Sequence, residues 1–252
     1  NVVTVTGVDD VVIDGNIAYT VVTGDPTSAD GNYDALTAAS AADVAVTNND
    51  NDSAGINVTL ISGPTTEAGG TATFSITLTS QPSADVTIPL SSSDLTEGTV
   101  PASITIAAAN WNVANVVTVT GVDDVIIDGN IAYTVLTGDP TSADGNYDAL
   151  NAGNVGDVAV TNNDNDSAGI NVTAISGPTT EAGGTATFSI TLTSQPTADV
   201  TIPLSSSDMT EGTVPASITI APANWNVANV VTVTGVDDVV IDGNIAYNLV
   251  TG

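Results

Sequence analysis

The chain has 252 residues, of which 29 are acidic and none is Lys, Arg, His or Cys, so its formal net charge is −29. Such a surface excludes nucleic acid as a partner, because affinity for phosphate comes from Lys and Arg. No apolar run approaches the roughly 20 residues that span a bilayer, so we expect no membrane insertion. The lack of Cys excludes a disulfide framework, and the 42% hydrophobic content favours a folded chain over a disordered one.

The sequence repeats itself every 114 residues. The segment Asn-Val-Val-Thr-Val-Thr-Gly begins at Asn1, Asn115 and Asn229, and a polar turn ends at Asp52 and again at Asp166. We therefore expect the C-terminal part of one repeat at 1–52, a complete repeat at 53–166 and the N-terminal part of a third repeat at 167–252. Such a chain is a window on a longer array, or its neighbouring copies in a filament complete each other's domains.

Short runs with alternating apolar residues fill the complete repeat, separated by turns rich in Gly, Pro, Asp and Ser. In chain order the apolar positions are Ile56, Val58 and Leu60; Ala72, Phe74, Ile76 and Leu78; Val86, Ile88 and Leu90; Ile104 and Ile106; Val117 and Val119; Ile131, Tyr133 and Val135; and Val158 and Val160. About seven such strands predict an all-β fold, an antiparallel immunoglobulin-like β-sandwich in each repeat. Pro89 predicts an edge strand or a bulge.

The aromatic residues recur once per repeat. Trp111 and Trp225 would serve either as a stacking platform for sugar or as a core or interdomain packing residue, and their strand-like flanks favour packing. Tyr19, Tyr133 and Tyr247 stand at alternating strand positions and are predicted to lie in the core.

The acidic residues gather in loops at predicted strand ends. In the complete repeat they are Glu67, Asp94, Asp123, Asp124, Asp128, Asp164 and Asp166. Carboxylates brought together without a cation repel one another by roughly 1 kcal/mol per pair at 4 Å even in water. Ca²⁺ prefers six to eight such oxygen ligands, whereas zinc and copper sites use His or Cys, so the sequence predicts bound Ca²⁺.

The repeat resembles the Calx-β domain and its relatives in large bacterial surface proteins. The resemblance rests on Thr66-Glu-Ala-Gly-Gly, Ser93-Asp, Val117-Thr-Val-Thr-Gly-Val-Asp-Asp and Thr161-Asn-Asn-Asp-Asn-Asp. It implies a seven-strand sandwich with clustered Ca²⁺ at one end, held by the seven acids named above. Asp128 stands where relatives often have Glu, and Asp-Asn-Asp where some have three acids, which implies fewer ions or weaker sites.

The resemblance extends the ligand set to the other two repeats. The third repeat supplies Glu181, Asp208, Asp237, Asp238 and Asp242, and the first supplies Asp9, Asp10, Asp14, Asp50 and Asp52. Because Asp52 and Asp166 lie on repeat boundaries, an ion at either residue would tie one domain to the next.

A second acidic signal is Asp144-Gly-Asn146-Tyr-Asp148, repeated at Asp30, Asn32 and Asp34. Oxygen side chains at positions 1, 3 and 5 are typical of the start of a calcium loop, but the Gly and Glu of the later positions are missing. An Asx-rich turn is the alternative.

The leading hypothesis is a calcium-stabilised structural repeat of an extracellular filament, surface fibre or adhesin stalk at the bacterial cell surface, whose main partner is itself, head to tail. The alternative is a module that binds a glycan or a cell. We do not expect an enzyme, because no His, Lys, Cys or Arg is available as nucleophile, base or oxyanion donor.

Overall fold

A computed structural model describes residues 1–241 and 243–251. The described chain forms two compact units. Unit 1 comprises Asn1–Pro64, Thr71–Thr120 and Tyr133–Val160, and unit 2 comprises Thr65–Gly70, Gly121–Ala132 and Thr161–Gly252. Unit 2 therefore contains loops of the second repeat together with the third repeat.

Almost all regular structure is β-strand. The strands up to residue 121 are β1 Ile17–Val21, β2 Val44–Asn48, β3 Ile56–Val58, β4 Thr65–Thr66, β5 Thr71–Leu78, β6 Val86–Ser92, β7 Gly98–Thr99, β8 Ser103–Ile106 and β9 Asn115–Gly121. The later strands are β10 Ile131–Thr137, β11 Thr141–Ser142, β12 Val158–Asn163, β13 Ile170–Val172, β14 Thr185–Leu192, β15 Val200–Ser206, β16 Gly212–Thr213, β17 Ser217–Ile220, β18 Asn229–Gly235 and β19 Leu249–Thr251.

The helices are short. They are α1 Gly31–Asp34 and α2 Gly145–Asp148, with 3-10 turns at Ala38–Ser40, Ala108–Asn110, Ala152–Asn154 and Pro222–Asn224. With α-helices of four residues, no helix in the described part of the chain has the length and apolarity to cross a bilayer.

Unit 1 contains a β-sandwich built from the second repeat. One sheet has the order β3-β5-β9-β7. In the other sheet, β8 pairs with one side of β6, and β11 and β10 pair with different parts of its other side. β12 follows as the next neighbour of β10. Along β5 the side chains alternate between buried and part-exposed, and Phe74 of β5 lies opposite Val117 of β9. Side chains of both sheets form one core, which confirms the predicted all-β sandwich.

Unit 2 repeats this arrangement with the third repeat. Its sheets have the orders β13-β14-β18-β16 and β17-β15-β19, all with antiparallel neighbours. Phe188, Ile190, Ile202 and Ile220 lie in its core. The same period-2 sequence pattern thus produces the same pair of facing sheets.

The structure corrects two details of the predicted strands. Leu60 is 92% exposed, because β3 ends at Val58 and the following residues leave its regular pairing with β5. Pro89 does not mark an edge strand, since β6 has neighbours on both sides. On one side of β6, β11 pairs opposite Thr87 and β10 pairs opposite Leu90. Pro89 lies between these two pairings.

The predicted core tyrosines differ among the repeats. Tyr133 is 4% exposed, as predicted, and Tyr247 is half-buried against the second core. Tyr19 is 37% exposed, so its predicted core position is wrong. The reason is that β1 pairs only with β2 in a two-stranded sheet, and among the described residues no second sheet faces this hairpin.

Candidate metal centre

Two parallel strands bring the first acidic residues of the centre together. The last residues of β12 pair with β4, Asn162 opposite Thr65. Because the strands run in the same direction, their carboxyl ends meet at one edge, where Glu67 follows β4 and Asp164 follows β12. The Glu67 N–H donates to the Asn163 carbonyl at 3.1 Å, and the Asn165 N–H donates to Glu67 Oε2 at 3.0 Å. Glu67 is thereby fixed beside the acids that follow β12.

Residues 121–132 form the other side of the centre; they run from the last residue of β9 to the first two residues of β10 and are called the loop 121–132. Its Gly129 N–H donates to Asp164 Oδ2 at 2.8 Å, and Asn165 Nδ2 donates to Asp123 Oδ1 at 3.3 Å. The Asn162 side chain also donates to the Val122 carbonyl at 3.0 Å. Residues far apart in sequence therefore converge within unit 2.

The loop approaches β4 closely at its first residue. Gly121 donates its N–H to the Gly70 carbonyl at 3.0 Å, and a Cβ at this position would lie 2.2 Å from the Thr66 carbonyl oxygen. Only glycine allows this approach without a backbone shift.

Three carboxylates lie together with no positive side chain in the chain to compensate them. One oxygen each of Glu67, Asp164 and Asp166 lies within 4.8 Å of the others. Glu67 is 2% exposed, and Asp166 Oδ2 is buried with no hydrogen-bond partner among the described residues. A buried carboxylate oxygen without a donor is costly unless a cation binds it.

The pKa values of these acids reflect burial and mutual repulsion. Burial raises the pKa of Glu67 above its ordinary value, and Asp164, Asp124 and Asp128 add to this rise, although the Asn165 N–H acts in the opposite direction. Burial followed by repulsion from Asp164 likewise raises the pKa of Asp166. The charged forms of both side chains are thus destabilised in the metal-free protein.

Asp164 has the opposite shift. Hydrogen bonds from the N–H groups of Asp166 and Gly129 lower its pKa despite partial burial. It therefore stays ionised and organises the loops, with its Oδ1 accepting from the Asp166 N–H at 2.7 Å.

The donor set fits Ca²⁺. It consists of carboxylate oxygens and includes Asp166 Oδ2, which no donor among the described residues reaches. Its loops also place Asp123, Asp124 and Asp128 nearby. Hard oxygen ligands in a flexible, many-ligand arrangement are what Ca²⁺ takes, and the centre contains no sulfur or imidazole that would favour zinc.

Unit 1 contains the first-repeat copy of this arrangement. Asp50 Oδ2 accepts from the Gly15 N–H at 2.7 Å, and Asp50 Oδ1 accepts from the Asp52 N–H at 2.8 Å, as Asp164 does with Gly129 and Asp166. Burial, then repulsion from Asp50, Asp9, Asp10 and Asp14, raises the pKa of Asp52. All five acids line one cleft, so the structure brings together all the predicted first-repeat ligands.

The acidic residues of the third repeat reproduce only part of the arrangement seen in the second repeat. Asp238 Oδ1 accepts from the Val240 N–H at 2.7 Å, as Asp124 Oδ1 does from Ile126. Glu181 is exposed and lines a cleft together with Glu211. Asp242 lies outside the described residues, Asp237 is exposed and Asp238 is half-buried.

The carboxylates of Asp94 and Asp208 each accept hydrogen bonds from a threonine two residues later in the chain. Asp94 Oδ1 accepts from Thr96 N at 3.0 Å and Thr96 Oγ1 at 2.6 Å, and Asp208 bonds Thr210 in the same way. The bond from the threonine hydroxyl lowers the pKa of each acid most, and the bond from the threonine N–H lowers it further. Neither residue belongs to the carboxylate group formed by Glu67, Asp164 and Asp166.

Glu97 and its repeat equivalent Glu211 were not among the predicted ligands. Glu97 is 5% exposed, and Glu211 shares a cleft with Glu181. A signal was present in the composition, because the only Glu residues of the chain are Glu67, Glu97, Glu181 and Glu211, two repeat positions in which Asp never appears.

The second acidic signal forms a turn rather than an ion site. Asp144 caps α2 by accepting from Asn146 N at 2.9 Å, and its Oδ2 accepts from Ser83 N at 2.7 Å and Ser83 Oγ at 3.0 Å. Burial raises the pKa of Asp144, but these hydrogen bonds outweigh it and lower the pKa overall. The carboxylate is already satisfied by donors, as the Asx-turn alternative requires.

The tryptophans are packing residues. Trp111 is half-buried against the core of unit 1, and Trp225 packs against the core of unit 2. The Trp111 carbonyl also accepts from the Leu78 N–H at 2.8 Å, which fixes the turn that carries it.

Comparisons with known proteins give no family membership, since no family model and no curated protein matches the chain. Among solved structures, the chain is similar to the crystal structure of calcium-binding domain CBD12 of CALX1.1, at 12% identity and a TM-score of 0.34 over 78% of this chain and 80% of that chain. It is also similar to CBD12 from CALX1.2, at 11% identity and a TM-score of 0.31 over 75% and 76% of the two chains. A protein of unknown function from Porphyromonas gingivalis W83 is similar at 9% identity, with a TM-score of 0.29 over 71% of this chain and 82% of that chain. At such TM-scores these likenesses add no argument about the site, which is judged on its own geometry.

Proposed function

We propose that the chain is a calcium-stabilised structural array of an extracellular filament or adhesin stalk, and that its acidic loop clusters bind Ca²⁺. The observation that carries the calcium site is the buried Asp166 Oδ2, which has no hydrogen-bond partner within residues 1–241 and 243–251, beside the buried Glu67. Two adjacent carboxyl groups in such surroundings are neutralised by protons or by a cation, and the chain has no cationic side chain to serve. A bound Ca²⁺ neutralises them at neutral pH.

The ion would lock the loops that carry its ligands. Glu67 belongs to the turn after β4, Asp164 and Asp166 to the segment after β12, and Asp124 and Asp128 to the loop 121–132. Neutralising these charges removes the repulsion that otherwise separates the three segments. Ca²⁺ would thus act by holding these three segments of unit 2 together.

The same loop contacts the next repeat, so the ion would also stiffen the array. The Gln195 N–H donates to the Val125 carbonyl at 2.7 Å, and Ile126 forms a parallel bridge with Gln195. At the preceding junction Gln81 and Val11 make the identical bond at 2.7 Å. Since Val125 lies between the ligand pair Asp123–Asp124 and Asp128, ordering the ligands also orders the residue that contacts the next repeat.

A structural role fits the repetition better than catalysis or glycan binding. The clusters of the first and second repeats recur with the same hydrogen bonds, and the chain has no Lys, Arg, His or Cys to serve beside them as nucleophile, base or oxyanion donor. The half-buried Trp111 packs on the core, which speaks against its use as the stacking platform for sugar.

Calcium binding is tested by thermal unfolding of the dialysed, metal-free protein with and without Ca²⁺. At a thousandfold excess of Ca²⁺ over its Kd, a single site stabilises the fold by about 4 kcal/mol. Glu67→Gln keeps the side-chain shape but removes one ligand charge, so it should raise the melting temperature without metal and reduce the gain on adding Ca²⁺.

The matched control is Asp199→Asn, which removes one exposed charge outside the predicted ligand set. It should leave the calcium gain unchanged. Superimposable melting curves with and without Ca²⁺ would rule out the proposed site. Small-angle scattering on the same samples tests the stiffening, which predicts a longer maximum dimension with Ca²⁺.

A further inference from the structure

The pairing of β4 with β12 has a geometry suited to a strand pair under tension. The two strands run parallel, with Thr65 opposite Asn162 and Thr66 opposite Asn163. The chain enters β4 at its N-terminal end and leaves β12 at its C-terminal end. When residues 53 and 166 are pulled apart, β4 is drawn toward its beginning and β12 toward its end. The strands would then slide along each other, so all the bonds between them share the load.

The pair also shortens the path that the load follows. Tension passes across from β4 to β12, so residues 67–161 between these strands are not stretched until the pair opens. β3 precedes β4 and pairs with β5 over three residues only, so we expect it to detach first. Unfolding of the intervening chain under tension therefore begins with the β4–β12 pair.

Buried side chains add hydrogen bonds across the pair. The Thr65 hydroxyl donates to Asn162 Oδ1 at 2.9 Å, and the Glu67 N–H donates to the Asn163 carbonyl at 3.1 Å. Thr65, Asn162 and Glu67 are 0%, 1% and 2% exposed. When such a bond is pulled open, its donor and acceptor stay without a partner until water reaches them, which makes breaking it costly. The pair should therefore open slowly under load.

The carboxylate group lies where both strands end. Glu67 follows β4, Asp164 and Asp166 follow β12, and one oxygen of each lies within 4.8 Å of the others. Glu67 Oε2 also accepts from the Asn165 N–H at 3.0 Å. An ion held by these carboxylates would join the two strands at one point. Sliding would then require an ion–oxygen contact to break together with the hydrogen bonds.

We propose that the β4–β12 pair carries the tension along the repeat, and that Ca²⁺ bound by Glu67, Asp164 and Asp166 strengthens this pair. The proposal rests on the proposed function, a calcium-binding stalk. It assigns to the ion a resistance that depends on the direction of pulling, which a general gain in stability does not have.

The test holds single molecules of the 252-residue chain at constant force in optical tweezers and measures how long they stay folded. The chain has no Cys, so two introduced cysteines are the only attachment points for the handles. Ser53→Cys with Ser167→Cys, both at exposed positions, makes the strands slide. Ala68→Cys with Ser167→Cys, also exposed, pulls on the C-terminal ends of both strands and peels the same pair apart.

The two pulling geometries should give different lifetimes. In metal-free buffer, the sliding geometry should last at least about tenfold longer than the peeling geometry at the same force, because several hydrogen bonds must break together. Forced unfolding is governed by the unfolding rate, which an ion bound to the closed pair slows. Saturating Ca²⁺ should therefore lengthen the sliding lifetime by at least about another tenfold.

Three substitutions in the sliding geometry locate the load. Thr65→Val removes the hydroxyl that bonds Asn162 and should shorten the lifetime about fivefold. Thr87→Val is the matched control, because it removes a hydroxyl pair with Thr105, at 2.8 Å, that joins β6 to β8 outside the load path, and it should leave the lifetime unchanged. Glu67→Gln keeps an oxygen for the Asn165 N–H, so it should not shorten the metal-free lifetime but should lose most of the gain from Ca²⁺.

Equal lifetimes in the two geometries would overturn the proposal, and so would an effect of Thr87→Val as large as that of Thr65→Val. An unchanged sliding lifetime in Ca²⁺ would also overturn it if isothermal titration calorimetry of the same cysteine variant shows the ion bound. Calorimetry without any binding would instead refute the calcium site. The comparison of the two geometries in metal-free buffer would still decide whether the β4–β12 pair bears the load.

Discussion

At the scale of single residues, buried polar atoms decide which substitutions the protein tolerates. The Tyr147 hydroxyl satisfies both the N–H and the carbonyl of Ser80 inside unit 1. Tyr147→Phe keeps the ring but leaves both groups buried without a partner, which costs about 1–3 kcal/mol. Urea unfolding of dilute protein measures this loss.

Tyr33→Phe is the control for that change, because Tyr33 occupies the same repeat position but is exposed. A surface substitution of this kind should change the free energy of unfolding by less than about 0.5 kcal/mol. Equal effects of the two substitutions would show that the hydroxyl of Tyr147 is not held by Ser80.

At the scale of elements, the loop 121–132 depends on its first glycine. Gly121→Ala would place a methyl group against the Thr66 carbonyl oxygen, which is backbone and cannot rotate away. Crowding of this kind costs about 1–3 kcal/mol, and it displaces the loop that carries Asp123, Asp124 and Asp128. We therefore expect a lower melting temperature and weaker Ca²⁺ binding by isothermal titration calorimetry.

Gly63→Ala provides the comparison, since an added Cβ at Gly63 meets no atom within 4 Å. It should leave both the melting temperature and the calcium titration unchanged. A Gly121→Ala protein that binds Ca²⁺ normally would mean that the loop does not need its close approach to β4.

The elements also show how far the sequence predicts the structure. Period-2 patterns identified the buried faces of β5 and β6, because alternation is a local property of each strand. The parallel pairing of β4 with β12 joins residues nearly a whole repeat apart, and neither two-residue β4 nor its partner carries a local signal for it. The acids after those strands were recognised, but their closeness follows from this pairing.

Asp94 and Asp144 show the same limit for side chains. Each stands in a loop with an acidic, turn-forming sequence, and composition alone cannot distinguish a carboxylate that accepts from nearby N–H groups from one that is left without donors. Asp94 and Asp144 are satisfied by Thr96 and by Ser83 and Asn146, whereas Asp166 Oδ2 has no such partner among the described residues. That difference depends on three-dimensional position.

At the scale of the whole molecule, stability should change with pH in opposite ways with and without metal. Burial raises the folded-state pKa values of Glu67, Asp166 and Asp52 above their ordinary values of 4.5, 3.8 and 3.8. As the pH of metal-free protein falls from neutral, these groups bind protons in the folded state before they do so in the unfolded chain. The linkage relation then requires stability to rise over this range.

Further acidification reverses the trend. Hydrogen bonds lower the folded-state pKa values of Asp94, Asp164 and Asp208 below 3.8. The stability that these three ionised carboxylates contribute is therefore present above pH 3.8, and it is lost as the pH falls through their lowered pKa values. The metal-free protein should therefore be most stable near pH 4–5, the region of ordinary carboxyl pKa values, which are about 4. With saturating Ca²⁺, protons compete with the ion for the same oxygens, so stability should instead fall steadily from pH 7. Melting temperatures across this range check both curves, which should converge on acidification. A metal-free curve that falls steadily from pH 7 to 5 would mean that the clustered carboxylates do not repel one another in the folded protein.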